Sequence, residues 1–119
     1  MFYLDMFAAM DVELELATED GSRGESGRVT VPLERELKSR QGPARLMLYA
    51  CGPEPMLAAV ARLSERYGVP SQVSVERVMG CGVGGCYSCV IPVKTTDGRP
   101  HFVRSCLAGP VFRASEISW

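Results

Sequence analysis

Cys81, Cys86 and Cys89 stand at the spacing C-x4-C-x2-C, and a fourth cysteine, Cys106, follows at a distance. This is the plant-type spacing of a 2Fe-2S ligand set, and it constrains the chain strongly because three thiolates from one short loop must turn inward on two irons. Gly82, Gly84 and Gly85 fall between the first two cysteines, where they allow backbone conformations that a Cβ would forbid. Such a loop can also aim its N–H groups at the sulfur atoms, and those bonds help set a reduction potential. The fourth ligand has to be returned by a separate element. Cys89 to Lys94 and His101 to Arg104 read as two strands of a hairpin around Thr96-Asp97-Gly98-Arg99, which would bring Val103-Arg104-Ser105-Cys106 back beside the loop. A centre held by four cysteines has no open coordination position, so the spacing predicts electron transfer and no substrate chemistry at the metal.

Four cysteines also suit a structural tetrahedral zinc ion, which would make this region an interaction module. Zinc ribbons usually show two C-x2-C knuckles; here Cys81 and Cys86 are separated by four residues and Cys106 has no cysteine neighbour. The spacing favours iron. Arg77, Lys94 and Arg104 share the region and either tune the centre, face a partner or are ordinary solvated charge.

The 119-residue chain has five cysteines, an odd number, with four gathered in the last third at ligand spacing. That is not a secreted disulfide framework, and it predicts a reducing, cytoplasmic setting. A formal net charge of -1 offers no electrostatic footprint for nucleic acid. The longest apolar runs, such as Leu46 to Cys51, fall far short of the roughly 20 residues that cross a bilayer, so no membrane partner is expected.

Apolar residues recur at helical intervals from Phe2 to Met10, and the alternation from Val12 to Leu16 then has the period of a strand. Thr18 to Gly27 reads as a surface loop, Val29 to Lys38 as an amphipathic helix with Pro32 near its first turn, and Gln41-Gly42-Pro43 as its end. Arg45 to Ala50 is a strand-length apolar run, followed by the Cys51-Gly52-Pro53 turn, a helix from about Glu54 to Tyr67 stopped by Gly68, and a strand from Gln72 to Val75. The expected fold is α/β: strand and helix alternate over residues 1–76 in the manner of a parallel sheet, followed by a small irregular, partly β iron-sulfur lobe over 77–119.

Cys51 follows a strand and precedes a helix, the position where open α/β sheets bind ligands. Gly52 permits close backbone approach there, although a lone cysteine at a strand end is also a common small buried hydrophobe. Asp20 lies in an acidic loop after a strand; it is either a ribose-binding carboxylate or part of a solvated turn. His101, the single histidine, reads as a surface residue, and Met47, Met56 and Met79 as packing.

Cys51-Gly-Pro-Glu-Pro-Met56, then Gly80-Cys81-Gly-Val-Gly-Gly-Cys86-Tyr-Ser-Cys89, then Gly109-Pro-Val-Phe112 and a final Trp119 form a specific combination. From about residue 12 onward the chain resembles the electron-transfer subunits of dihydroorotate dehydrogenase B, a branch of the ferredoxin-reductase-type iron-sulfur flavoproteins. Subunits of sulfhydrogenases, sulfite reductases and glutamate-synthase-like enzymes share the first two motifs. The resemblance implies that Cys81, Cys86, Cys89 and Cys106 hold the 2Fe-2S cluster and that Cys51, Gly52 and Pro53 lie beside a nicotinamide, with Asp20 toward the adenosine ribose. It further implies a relay between the FMN of a catalytic subunit and FAD and NAD(H), in pyrimidine biosynthesis. The family's flavin domain and the two central strands of its nicotinamide domain have no counterpart in these residues. Two flanks of a sheet without its middle leave unpaired edges, so a fragment, a contribution from another chain or a swapped homodimer is expected.

Overall fold

The computed structural model describes residues 3–40, 46–96, 99 and 101–119. The chain divides into two compact units, Met1–Gln41 and Gly42–Trp119. Gln41-Gly42-Pro43 and the Asp97-Gly98 turn lie outside the described residues.

The first unit contains α1 (Leu4–Ala8), β1 (Ala17–Thr18), β2 (Glu25–Ser26) and α2 (Thr30–Ser39). The α1 helix occurs inside the segment whose periodicity called for it, α2 overlaps its expected segment and runs one residue past it to Ser39, and Pro32 and Leu37 are the buried residues of α2. Val12 to Leu16 is not a strand. The ladder begins at Ala17 and pairs in parallel with Glu25–Ser26, inside the stretch expected to be loop. Alternating side chains are not enough for a strand, because its N–H and C=O groups also need a neighbour. Among the described residues β2 reaches this stretch at Leu16, whose carbonyl accepts the Glu25 N–H at 2.8 Å, while Val12 to Leu14 run beside no described strand. Arg35 crosses this unit, pairing with Glu25 at 2.9 Å and Glu15 at 3.3 Å.

The second unit contains β3 (Leu48–Cys51), α3 (Glu54–Tyr67), β4 (Ser71–Ser74), β5 (Val90–Val93), β6 (His101–Arg104), α4 (Ser105–Ala108) and β7 (Val111–Arg113). The α3 helix has the bounds its sequence dictates. Pro55 falls within its first turn, where a missing N–H costs nothing, and Leu57, Val60 and Leu63 form its buried face. Gly68 ends it in the left-handed conformation with φ 64. There Val69 N–H returns to the Ser64 carbonyl at 3.0 Å, the closing bond of a Schellman end.

The β3 and β4 strands are parallel, as the strand, helix, strand order requires, and β7 adds to β4 antiparallel with Val73 opposite Phe112. A two-stranded antiparallel sheet, β5 with β6, is separate from it, with Val90 opposite Arg104. The chain end returns to β5 through a Val93–Ile117 bridge. One core therefore collects Leu57, Val73, Val75, Ile91, Phe112, Ala114 and Ile117. Its members come from both sides of residue 76, so the strand–helix segment and the cysteine-bearing segment are packed together. Met56 packs against this core, whereas Met47 and Met79 are nearly half exposed and are not packing residues.

The Gly80–Cys89 loop and candidate cluster site

The loop between residues 80 and 89 leads directly into β5, and Cys106 is the second residue after β6. The β5–β6 register places Cys89 opposite Ser105, whose N–H donates to the Cys89 carbonyl at 3.1 Å, so the hairpin ladder continues to the cysteines. None of the five cysteines forms a disulfide.

The loop turns on three left-handed residues, Gly82 (φ 68), Gly84 (φ 84) and Tyr87 (φ 61). Two consecutive backbone N–H groups converge on one sulfur: Gly85 N–H lies 3.2 Å and Cys86 N–H 3.4 Å from Cys81 Sγ. Cys86 Sγ is 3.1 Å from the Ser88 hydroxyl, which itself accepts the Gly80 N–H at 3.0 Å. The Ser88 hydroxyl, with its backbone N–H and then Cys81, lowers the Cys86 thiol to about 6.

Cys89 and Cys106 form a second interacting pair. The Cys106 backbone N–H and then its side chain favour the Cys89 thiolate, while the hydrogen bond to Cys89, burial and the Cys89 charge push Cys106 up. The Gly84 N–H also acts on Cys106, in the direction that favours its thiolate. Cys81 thus acts on Cys86 and Cys106 on Cys89, and the Cys81 charge also pushes Cys106 up. Among the described residues no three His, Cys, Asp or Glu side chains close around a single ion position. Two thiol pairs with N–H donors aimed at sulfur are the donor set that a binuclear iron-sulfur centre takes.

Arg104 braces the loop, with Nη1 donating to the Gly84 carbonyl at 2.5 Å and its guanidinium 4.8 Å from the Tyr87 ring centroid. Arg77 instead pairs with Glu54 at 3.1 Å, and His101 is exposed at the start of β6. Ser88, Ser105 and Tyr87 are site residues that the spacing argument passed over. The sequence signal was the repeated Ser–Cys pair, Ser88-Cys89 and Ser105-Cys106.

Cys51 is exposed at the last position of β3. Gly52 has φ 150, and a Cβ there would come within 2.6 Å of Met56 Cε. Pro53 caps α3, its carbonyl accepting the Met56 and Leu57 N–H groups at 2.9 and 3.1 Å. Asp20 belongs to the first unit. Its carboxylate accepts the Ser22 N–H at 3.0 Å, and this bond, with those from the Ser22 and Thr18 hydroxyls, holds it below the usual carboxylate range.

Residues 76–118 match the family described as the iron-sulfur cluster binding domain of dihydroorotate dehydrogenase B. The chain is 46% identical over 118 residues to the dihydroorotate dehydrogenase B (NAD(+)) electron transfer subunit of Geobacillus thermodenitrificans, covering 98% of this chain and 42% of that protein. It is 36% identical to the corresponding subunit of Desulforamulus reducens, covering 95% of this chain and again 42% of the relative. The chain thus spans less than half the length of these relatives. Among solved structures, an NADH-dependent reduced ferredoxin-NADP oxidoreductase studied for flavin-based electron bifurcation superposes with a TM-score of 0.67 at 28% identity. That likeness covers 89% of this chain and 35% of the other, and supports a mixed helix and strand fold of reductase type.

Proposed function

We propose that this chain, similar along nearly its whole length to electron transfer subunits of dihydroorotate dehydrogenase B, is a one-electron relay built on a 2Fe-2S cluster. Cys81, Cys86, Cys89 and Cys106 hold the cluster, two on each iron. The observation that carries this reading is a glycine-rich loop at C-x4-C-x2-C spacing that turns two consecutive backbone N–H groups onto the Cys81 sulfur. N–H donors at 3.2 and 3.4 Å on Cys81 Sγ stabilise negative charge on sulfur, the role such bonds play at iron-sulfur centres. When bound, the cluster supplies reversible uptake of a single electron; the residues around it orient the ligands and limit water. Exposure of Cys81 and Cys86 on the loop surface suits transfer to a partner held against this face.

In the assembled complex the relay connects the FMN of a dihydroorotate dehydrogenase catalytic subunit with FAD and NAD(H), in the cytoplasm. Residues 1–76 correspond to part of a ferredoxin-reductase-like nicotinamide domain and 77–119 to the cluster lobe. Cys51, Gly52 and Pro53 sit at the end of a parallel strand before a helix, the place where such sheets receive a nucleotide, and Asp20 is assigned to the ribose. The strands missing from this sheet come from the rest of a longer protein, from another chain or from a swapped homodimer. The test is anaerobic preparation followed by iron, zinc and sulfide analysis and EPR of the dithionite-reduced protein. About two irons and two sulfides per chain, as this cluster type requires, with a rhombic signal, support the relay. One zinc with no iron and no colour sinks it.

A further inference from the structure

The Gly84–Gly85 peptide carries a contact on each side. Its carbonyl oxygen accepts from Arg104 Nη1 at 2.5 Å, and its N–H donates to Cys81 Sγ at 3.2 Å. In a trans peptide the C=O and N–H point in opposite directions within one rigid plane, so an anchor on the oxygen fixes the aim of the N–H. We propose that Arg104 is a positioning residue for the iron-sulfur centre, acting through this single peptide to hold and polarise the hydrogen bond on the Cys81 sulfur and to favour the reduced state. The proposal rests on the cluster reading above.

Three features make this more than a surface contact. A bond from a guanidinium is charge-assisted and stronger than one between neutral groups, and it draws electron density from the amide toward oxygen, leaving the N–H a better donor to sulfur. Arg104 is itself held: it sits in the last register position of β6 opposite Val90, half-buried, with its plane over Tyr87. Tyr87 adopts a left-handed backbone that non-glycine residues seldom take, which sets its ring under the guanidinium. Third, the space beside the peptide is closed, because a Cβ on buried Gly84 would lie 2.5 Å from Leu107 Cδ1 and 3.5 Å from Arg104 Nη1. The peptide is therefore confined between Leu107, Arg104 and the Cys81 sulfur. A lysine would keep the charge but lose the planar fork that stacks and hydrogen-bonds together.

The experiment is an EPR-monitored redox titration of the full chain loaded with its cluster, comparing wild type with Arg104→Gln, Arg104→Lys and Tyr87→Leu. Arg104→Gln is expected to shift the equilibrium about tenfold toward the oxidised form, a midpoint about 59 mV lower for one electron. Arg104→Lys should recover part of that shift, and Tyr87→Leu should move the midpoint the same way by less. Pulsed EPR should also show a weaker coupling to the Gly85 nitrogen in Arg104→Gln. Equal midpoints in wild type and variants at full cluster content would overturn the proposal. If Arg104→Gln does not retain its cluster, unchanged midpoints in the other two variants overturn it equally. A wild-type chain that takes up no iron and sulfide removes the cluster reading itself, which distinguishes the two failures.

Discussion

Ser105 is joined twice to the carbonyl of Cys89: its N–H donates at 3.1 Å and its hydroxyl at 2.9 Å. Ser105 thereby holds Cys89 beside its own neighbour, Cys106, and it does so in full burial, at 0% exposure. Ser105→Ala keeps the N–H bond and loses the hydroxyl bond, so urea unfolding should show a loss of about 1 kcal/mol. Because the lost bond lies between two of the cysteines proposed to hold the cluster, bleaching of the loaded protein in air should also be faster in this variant.

The cysteines should separate cleanly by substitution. Cys51 is exposed at the end of β3 and lies outside both thiol pairs, so Cys51→Ser should leave iron and sulfide content at the wild-type level. Serine at 81, 86, 89 or 106 should lower both. A wild-type iron content in Cys106→Ser would remove that residue from the ligand set.

Gly82 and Gly84 are both left-handed but differ in surroundings. A Cβ at Gly82 meets nothing within 4 Å, whereas at Gly84 it meets Leu107 at 2.5 Å. Gly82→Ala should cost roughly 1 kcal/mol from backbone strain alone. Gly84→Ala adds an overpacking cost of about 1–3 kcal/mol, and should also lose cluster content. Thermal unfolding of the two variants side by side checks the difference.

The helix Glu54–Tyr67 was legible in the sequence because both ends carry local signals, prolines at the start and Gly68 at the stop. The turning of the cysteine loop was legible because Gly82 and Gly84 stand where it bends, and the hairpin behind it because β5 and β6 are close in sequence. Val12 to Leu16 misled because alternation marks a face and says nothing of a partner strand. The pairing of β7 with β4 was missed for the related reason that three residues at the chain end find their neighbour some forty positions away. Ser88 and Ser105 stood in plain view beside cysteines, but whether a hydroxyl bonds a sulfur or a carbonyl is decided by the folded loop.

Cys86 gives the site a pH dependence before any iron is bound. Its thiol is lowered from the ordinary thiol value of 9.0 to about 6, chiefly because the Ser88 hydroxyl donates to the thiolate. Between these two values the unfolded chain binds more protons at this residue than the folded chain, so stability rises with pH across that window. The contribution is present above about pH 9 and is lost as pH falls through about 6. Two measurements follow on the cluster-free, reduced chain. Alkylation of Cys86 should follow a titration near pH 6, and Ser88→Ala should move that titration upward toward the ordinary thiol range. Iron loading should weaken below about pH 6, where protons compete for the sulfur. An alkylation profile identical in wild type and Ser88→Ala would show that the hydroxyl does not hold the thiolate.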